Sequence, residues 1–419
     1  MRPANIRTLD EGEFRGKRVL VRLDINSPID RRSGKIGNDT RIRRSIGTIR
    51  ELSEMGAKVV LIAHQGDTTD YAALVSLEQH ARLLAELLGR EVGFIEDIAG
   101  PAAVARIESL GNGEVLLLDN VRYLTEEVST FEDSCRLTAE QMKDVYLVRR
   151  LAPLFDCYVN EAFSAAHRNA PSMVAFQEIL PSYGGRLLVE EVNALQMITH
   201  NAERPCVYLL GGSRAGDAFG MIARVLSRNG ADYILTSGLV GQIFLLADGI
   251  DLGSPSAQLI EEKGYEKYIA QAADYLTAYG EKILRPLDVA YAAGGKREEC
   301  SVSELPVSQM IFDIGGKTKS LYEKIISDAR TIFMNGPAGV YEEEISSYGT
   351  RSLCRAVESA SGFTVVGGGD TVTCFARYSN PDKIGYTSTA GGALIRYLSG
   401  TELPLLTAME RSFNKFENT

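Results

Sequence analysis

Short runs of β-branched and aliphatic residues alternate along this chain with stretches whose apolar positions recur every three or four residues. Arg18-Val-Leu-Val-Arg-Leu, Ala57 to Ala63, Val115-Leu-Leu-Leu and Cys157-Tyr-Val read as buried strands. Thr40 to Met55 has helical spacing and stops at Gly56; Ser76 to Leu88 is a second helix, closed by Gly89. A new series begins near residue 204, with strands expected at Cys206-Val-Tyr-Leu-Leu, Tyr233-Ile-Leu-Thr, Ile283-Leu-Arg-Pro, Thr331-Ile-Phe-Met and Thr364-Val-Val. Between the two series, Gly185 to Ile198 is strongly amphipathic and follows Pro181 and two glycines, the pattern of a helix joining two halves. Strands separated by helices imply βαβ units and parallel sheets. The pattern predicts an α/β chain: two Rossmann-like three-layer domains with mostly parallel sheets, joined by a helix, with a cleft between them. The expected bounds are 1–183 for the first domain, 184–202 for the joining helix and 203–400 for the second domain. Residues 401–419, which carry several apolar positions, are expected to pack back on the first domain.

Composition narrows the function classes. Hydrophobic residues at 45% and charged residues at 24% are ordinary for a soluble globular chain. A net charge of −10 over 419 residues argues against a general nucleic-acid binder, which shows a basic domain or stripe. The six cysteines are scattered without a CxxC pair, so reduced thiols and an intracellular, cytoplasmic protein are expected. The start lacks the apolar core of a signal peptide, and no apolar run reaches membrane-spanning length.

The candidate chemistry lies just after strands, where open α/β sheets bind ligands. In the second half, two glycine-rich turns follow apolar runs: Asn335-Gly-Pro337-Ala-Gly339 and Gly367-Gly368-Gly369-Asp370-Thr371. Glycines let a backbone approach phosphate oxygens, and a following helix offers free N–H groups. Gly211-Gly212-Ser213-Arg214 places a cation after two more glycines, and Gly391-Gly392 adds another glycine turn. Asp370 at the mouth of the triple glycine suits Mg²⁺, which binds through one or two carboxylates plus ligand phosphates; it equally suits a helix cap. In the first half, Asp24, Asn26, Arg41, His64, Arg122, Asn160, His167 and Arg168 are a set for a small, multiply anionic substrate, because guanidinium forks match phosphate and carboxylate. Two motifs lead nowhere. Gly315-Gly316-Lys317-Thr318 ends like a P-loop, but Ile311 stands where that loop needs glycine, and no GxGxxG follows the first strand.

Taken in order, these residues spell a family. Arg22-Leu-Asp24-Ile-Asn26-Ser-Pro28, Asn38-Asp-Thr-Arg41-Ile, His64-Gln-Gly66, Asp119-Asn120-Val-Arg122-Tyr, Val159-Asn160-Glu-Ala-Phe163 with His167-Arg168, Gly211-Gly212, Asn335-Gly-Pro-Ala-Gly339-Val and Gly367-Gly-Gly-Asp370-Thr371 resemble phosphoglycerate kinases over nearly the whole length, most closely the archaeal branch. The resemblance implies a hinge-bending glycolytic kinase that transfers phosphoryl between Mg-ATP or Mg-ADP and 3-phosphoglycerate, as a monomer or homodimer. It puts Asp24, Asn26, Arg41, His64, Arg122 and Arg168 on the substrate. It puts Gly211, Gly212, Arg214, Gly315, Asn335, Pro337, Glu342, Gly368, Gly369, Asp370 and Thr371 on the nucleotide, Glu342 at its ribose and Asp370 on the metal. Arg41, Arg214, Gly369 and Gly392 fall to the transfer step. The chain also departs from the family. Asp67 stands where a cation follows His64-Gln-Gly, Arg214 replaces a lysine, Ala218 replaces another, and Ala390 replaces a glycine. These changes leave two alternatives open: a related enzyme acting on a different carboxylate, and a nucleotide-binding protein without turnover.

Overall fold

Seven parallel strands form the sheet of the first half: β1 (Arg7–Thr8), β2 (Arg18–Leu23), β3 (Lys58–Ala63), β4 (Gly93–Ile95), β5 (Val115–Leu118), β6 (Cys157–Asn160) and β7 (Ser182–Gly184). Their order is β1-β7-β6-β2-β3-β5-β4, so the winding reverses on either side of β2. Strands β3, β5 and β6 are buried almost throughout, as expected where helices cover both faces of a parallel sheet. The Thr40–Glu54 helix packs Ile42, Ile46, Ile49 and Leu52 onto this sheet, beside the Glu78–Leu88 helix, whose Gly89 cap has φ 69°.

The second half has nine strands: β8 (Cys206–Leu210), β9 (Tyr233–Thr236), β10 (Ile283–Leu284), β11 (Asp288–Ala293), β12 (Lys296–Ser301), β13 (Ile311–Ile314), β14 (Thr331–Asn335), β15 (Phe363–Gly367) and β16 (Tyr386–Ser388). Six of them make a parallel sheet in the order β10-β9-β8-β14-β15-β16, reversing between β8 and β14. The other three, β12-β11-β13, form a small antiparallel sheet.

These descriptions come from a computed structural model that covers residues 5–66 and 72–417. Two compact units emerge, Met1–Asn193 with Glu402–Thr419, and Ala194–Thr401. The division falls inside the joining helix, Arg186–Thr199, rather than at its ends. The terminal Pro404–Lys415 helix belongs to the first unit, where Arg411 Nε lies 2.8 Å from Glu178. Among the described residues, no helix is long and apolar enough to cross a membrane. The cysteines are all free; four are buried and Cys135 is exposed.

The start of the joining helix is fixed by a buried acid. Glu161 Oε1 accepts from Thr48 Oγ1 at 2.6 Å and from the Leu187 N–H at 3.1 Å, while Oε2 is buried with no partner. Burial pushes the Glu161 carboxyl up from 4.5 to about 7. The folded chain therefore keeps a proton that the unfolded chain releases, and this group lowers stability as pH rises from about 4.5 to about 7. Glu161→Gln, which fixes the neutral form, should gain about 3 kcal/mol over the parent chain at pH 8 and nothing at pH 4. Urea unfolding at the two pH values measures this, and a difference independent of pH would refute it.

Candidate functional site

In the first unit the polar cluster gathers at the C-terminal ends of β2, β3, β5 and β6, over the strand where the sheet reverses. Asp24 follows β2 and is buried. Its carboxylate takes Arg41 Nη1 at 3.0 Å, the Asn26 N–H at 3.1 Å and the Ser164 hydroxyl. Burial pushes Asp24 up, but the His64, Arg41 and Arg22 side chains and the Ser164 hydroxyl together hold the carboxyl below its usual range. Asn26 Oδ1 accepts from the Gly66 N–H at 3.1 Å, which ties the β2 and β3 turns together.

His64 follows β3, and its Nδ1 lies 2.9 Å from Arg22 Nη2. A guanidinium only donates, so Nδ1 accepts and the ring proton sits on Nε2. Burial, then the Arg22 charge, pushes His64 well below its ordinary value, which agrees with a neutral ring. Arg22 itself is buried in β2 and bonds Ser172 Oγ at 3.1 Å; Ser172 in turn donates to Glu127 at 2.6 Å. Arg122 is buried and bonds the Gly66 carbonyl at 3.0 Å. Arg168 pairs with Glu132 at 2.7 Å, while its Nη2 is buried without a partner. Arg22, Arg122 and Arg168 all bear on the His64 charge, so they share one electrostatic neighbourhood. An orphaned guanidinium donor beside a neutral imidazole N–H fits an anionic ligand better than a protein acceptor. Sequence reading gave no role to Arg22, Glu127, Glu132, Ser164 or Ser172, whose partners lie as far as 150 residues away. Asp67 lies outside the described residues.

In the second unit the glycine turns after β8, β14 and β15 close on one another at the sheet's reversal point. The Gly211 N–H reaches the Asn335 carbonyl at 2.9 Å, and the Gly212 N–H reaches the Pro337 carbonyl at 2.8 Å. Thr371 Oγ1 accepts from the Gly336 N–H at 2.7 Å, and Asn335 Nδ2 donates to the Gly367 carbonyl at 2.8 Å. Both of these expected ligand residues thus hold one turn to the next. A cavity of about 300 Å³ opens over the turns, lined by Gly211, Gly212, Arg214, Gly368, Gly369 and Gly392, with Asp217, Asp370 and Arg396. A second cavity of about 240 Å³ adjoins it, walled by Leu239, Met310, Phe312, Val340, Tyr341 and Glu342. Gly212, Ser213, Pro337 and Asp370 line both. A polar, glycine-walled space beside an apolar one matches a polyphosphate joined to a planar base.

Asp370 is exposed in the first turn of the Gly369–Tyr378 helix, and Gly368, with φ 94°, precedes that helix. Among the described residues no group of three metal-binding side chains occurs. One or two acids, Asp370 with Asp217, are what Mg²⁺ needs when ligand phosphates supply the remaining oxygens, so the residues present fit that ion. Gly315 lines neither cavity. It precedes the Gly316–Asp328 helix, whose first N–H groups are already occupied: Asp288 accepts from Lys317 and Thr318 at 2.8 Å each, and Glu299 accepts from Gly316 at 2.8 Å. Internal carboxylates fill the place a phosphate would take at this helix N-terminus.

Tyr265, on the loop before the Lys267–Tyr279 helix, donates its hydroxyl to the Ser213 carbonyl at 2.9 Å. This bond ties the Ser213 backbone, which lines the cavity, to the neighbouring loop. Tyr265→Phe should weaken ATP binding about threefold, the size of one partly exposed neutral hydrogen bond. Calorimetric titration with ATP tests this; a lowered melting temperature with unchanged affinity would assign the tyrosine to the fold instead.

Comparison with known proteins agrees with this arrangement. The phosphoglycerate kinase family model matches residues 9–401. The chain is 43% identical over 408 residues to the phosphoglycerate kinase of Methanothermobacter thermautotrophicus, covering 97% of each chain. It is 41% identical over 405 residues to that of Methanothermus fervidus, again covering 97% of each. The crystal structure of phosphoglycerate kinase from Pyrococcus horikoshii superposes with a TM-score of 0.87 at 37% identity, covering 98% of this chain and all of that one. With two parallel-sheet units, a glycine-walled cavity in one and an arginine cluster in the other, the chain belongs to the phosphoglycerate kinase family, whose members transfer phosphoryl groups to a carboxyl acceptor.

Proposed function

We propose that this chain transfers the γ-phosphoryl group of Mg-ATP reversibly to the carboxylate of 3-phosphoglycerate, giving 1,3-bisphosphoglycerate and ADP. The observation that supports it most directly is the pair of adjoining cavities in the second unit, one walled by glycine backbone and one apolar, sharing four residues. In the reaction a carboxylate oxygen forms a bond to the γ-phosphorus. The bond to the β,γ-bridging oxygen breaks, and ADP leaves with that electron pair. Such transfer needs little covalent help from protein; it needs alignment and neutralisation of charge.

Backbone N–H groups of Gly368 and Gly369 hold phosphate oxygens, Glu342 meets the ribose, and Arg214 supports the group in flight. Asp370 would hold Mg²⁺, which would supply neutralisation of the phosphate charge. On the acceptor side, Arg122 and Arg168 hold the distal phosphate, and the His64 Nε2–H donates to the ligand without adding charge. Asp24 and Asn26 fix the acceptor's orientation, and Arg41 faces the developing charge. Because Asp24 already anchors Arg41 through a bond of 3.0 Å, the guanidinium is oriented before any ligand arrives.

The test is ATP-dependent turnover on 3-phosphoglycerate beside glycerate, which has the same carboxylate without the distal phosphate. Turnover of about 1–1000 per second on 3-phosphoglycerate alone is the expected result. Preference for glycerate would favour the reading in which Asp67 has remade the pocket. Nucleotide binding without turnover on either would overturn the proposal.

A further inference from the structure

Within the phosphate cavity, four charged side chains face the same space: Arg214, Asp217, Asp370 and Arg396. Among the described residues, none of the four has an ion pair or side-chain hydrogen bond. Two guanidiniums and two carboxylates kept apart in one cavity leave the counter-charges to a ligand. The acids suit a divalent cation and the guanidiniums suit phosphoryl oxygens.

Arg396, like Asp217, had no role from sequence motif or family resemblance. It is exposed, on the Gly392–Leu398 helix, four residues after Gly392. Helical side chains lean toward the helix N-terminus, so residue 396 extends back over Gly392 and the cavity mouth. Its place relative to the apolar cavity is also defined. Gly212, Ser213, Pro337 and Asp370 line both cavities, whereas Gly391, Gly392, Ile395 and Arg396 line only the phosphate cavity. Arg396 therefore belongs to the wall that contributes nothing to the apolar space.

We infer that Arg396 binds the terminal phosphoryl group of the nucleoside triphosphate, and so makes this site discriminate ATP from ADP. The inference rests on the nucleotide reading proposed above and deepens it. A guanidinium on that wall contacts the end of the polyphosphate farthest from the base, so AMP lacks the group it holds.

The experiment is calorimetric titration of Mg-ATP, Mg-ADP and AMP into the full-length chain and its Arg396→Gln and Arg396→Lys variants. Loss of one charge-assisted contact should weaken Mg-ATP binding to Arg396→Gln about tenfold, with a smaller loss for Mg-ADP and none for AMP. Arg396→Lys should recover part of the ATP affinity, since the charge remains without the fork. Equal losses for all three nucleotides, or none for any, would overturn the inference while leaving the nucleotide reading standing. Failure of the parent chain to bind any of the three would overturn both. The side chain is exposed and, among the described residues, unpaired, so neither variant removes a contact there that the fold depends on.

Discussion

Arg41→Ala is expected to lower kcat on 3-phosphoglycerate by about a thousandfold or more, the range seen when a guanidinium that neutralises a transferring phosphoryl group is removed. The expectation rests on how this arginine is held. Nη1 sits 3.0 Å from the buried Asp24 carboxylate and 3.4 Å from the Asn26 carbonyl, while the rest of the side chain stays partly exposed. One end is anchored and the other end is available. Arg41→Lys should recover little, because a lysine ammonium cannot bond Asp24 and a phosphoryl oxygen through one planar fork. The substitution has a second signature. With Arg41 gone, burial is opposed by fewer partners and the Asp24 carboxyl rises toward its ordinary value. In the parent chain the depressed carboxyl contributes stability above its unfolded value, and that contribution disappears as pH falls through the lower folded value. The variant should therefore lose stability at neutral pH and show a weaker acid dependence than the parent. Steady-state kinetics with separate kcat and KM, and melting curves from pH 3 to 7, check both parts. A rise in KM with kcat intact would show that Arg41 binds substrate equally in ground and transition states.

The sheet strands were legible in the sequence because each is a continuous apolar run bounded by glycines or charges, as in Lys58–Ala63 and Cys206–Leu210. The small antiparallel sheet was not. Its β12 strand, Lys-Arg-Glu-Glu-Cys-Ser, is largely exposed, so no apolar face marks it, and only the Gly294-Gly295 turn with φ 57° and 75° signals a hairpin. Strands of two or three residues such as β1, β4 and β16 carry too few positions for any period to appear. At the site, residues just after strands could be singled out because parallel sheets place ligands there. Their supports could not: Glu127 meets Ser172 and Glu132 meets Arg168 across long loops, and nothing local couples them. Gly315 shows the reverse difficulty. Gly-Gly-Lys-Thr has the ending of a phosphate loop without its first glycine, and the N–H groups it offers are taken by Asp288, distant in sequence. Arg396 is a single cation on a helix, which in sequence is indistinguishable from a solvated one.

Gly336→Ala is expected to destabilise the second unit by about 4 kcal/mol and to abolish nucleotide binding. Two costs combine. Gly336 has φ 91°, which an L side chain adopts at a cost of about 1–3 kcal/mol. A methyl group there would also fall on the Gly211 carbonyl and lie 2.8 Å from the Gly212 nitrogen. Those atoms are backbone and cannot swing aside, so relief requires parting the β8 and β14 turns at about 1–3 kcal/mol. Parting them breaks the bonds from Gly211 to Asn335 and from Gly212 to Pro337 that shape the phosphate cavity. Gly369 provides the contrast. A methyl group there meets nothing within 4 Å, so Gly369→Ala should leave stability within about 0.5 kcal/mol. It should still weaken ATP binding, since the open space over Gly369 is the cavity itself. Urea unfolding and calorimetry on the two variants separate a glycine required by the fold from one required by the ligand. Equal stability losses would refute that separation, and full ATP affinity in Gly369→Ala would place the phosphates elsewhere.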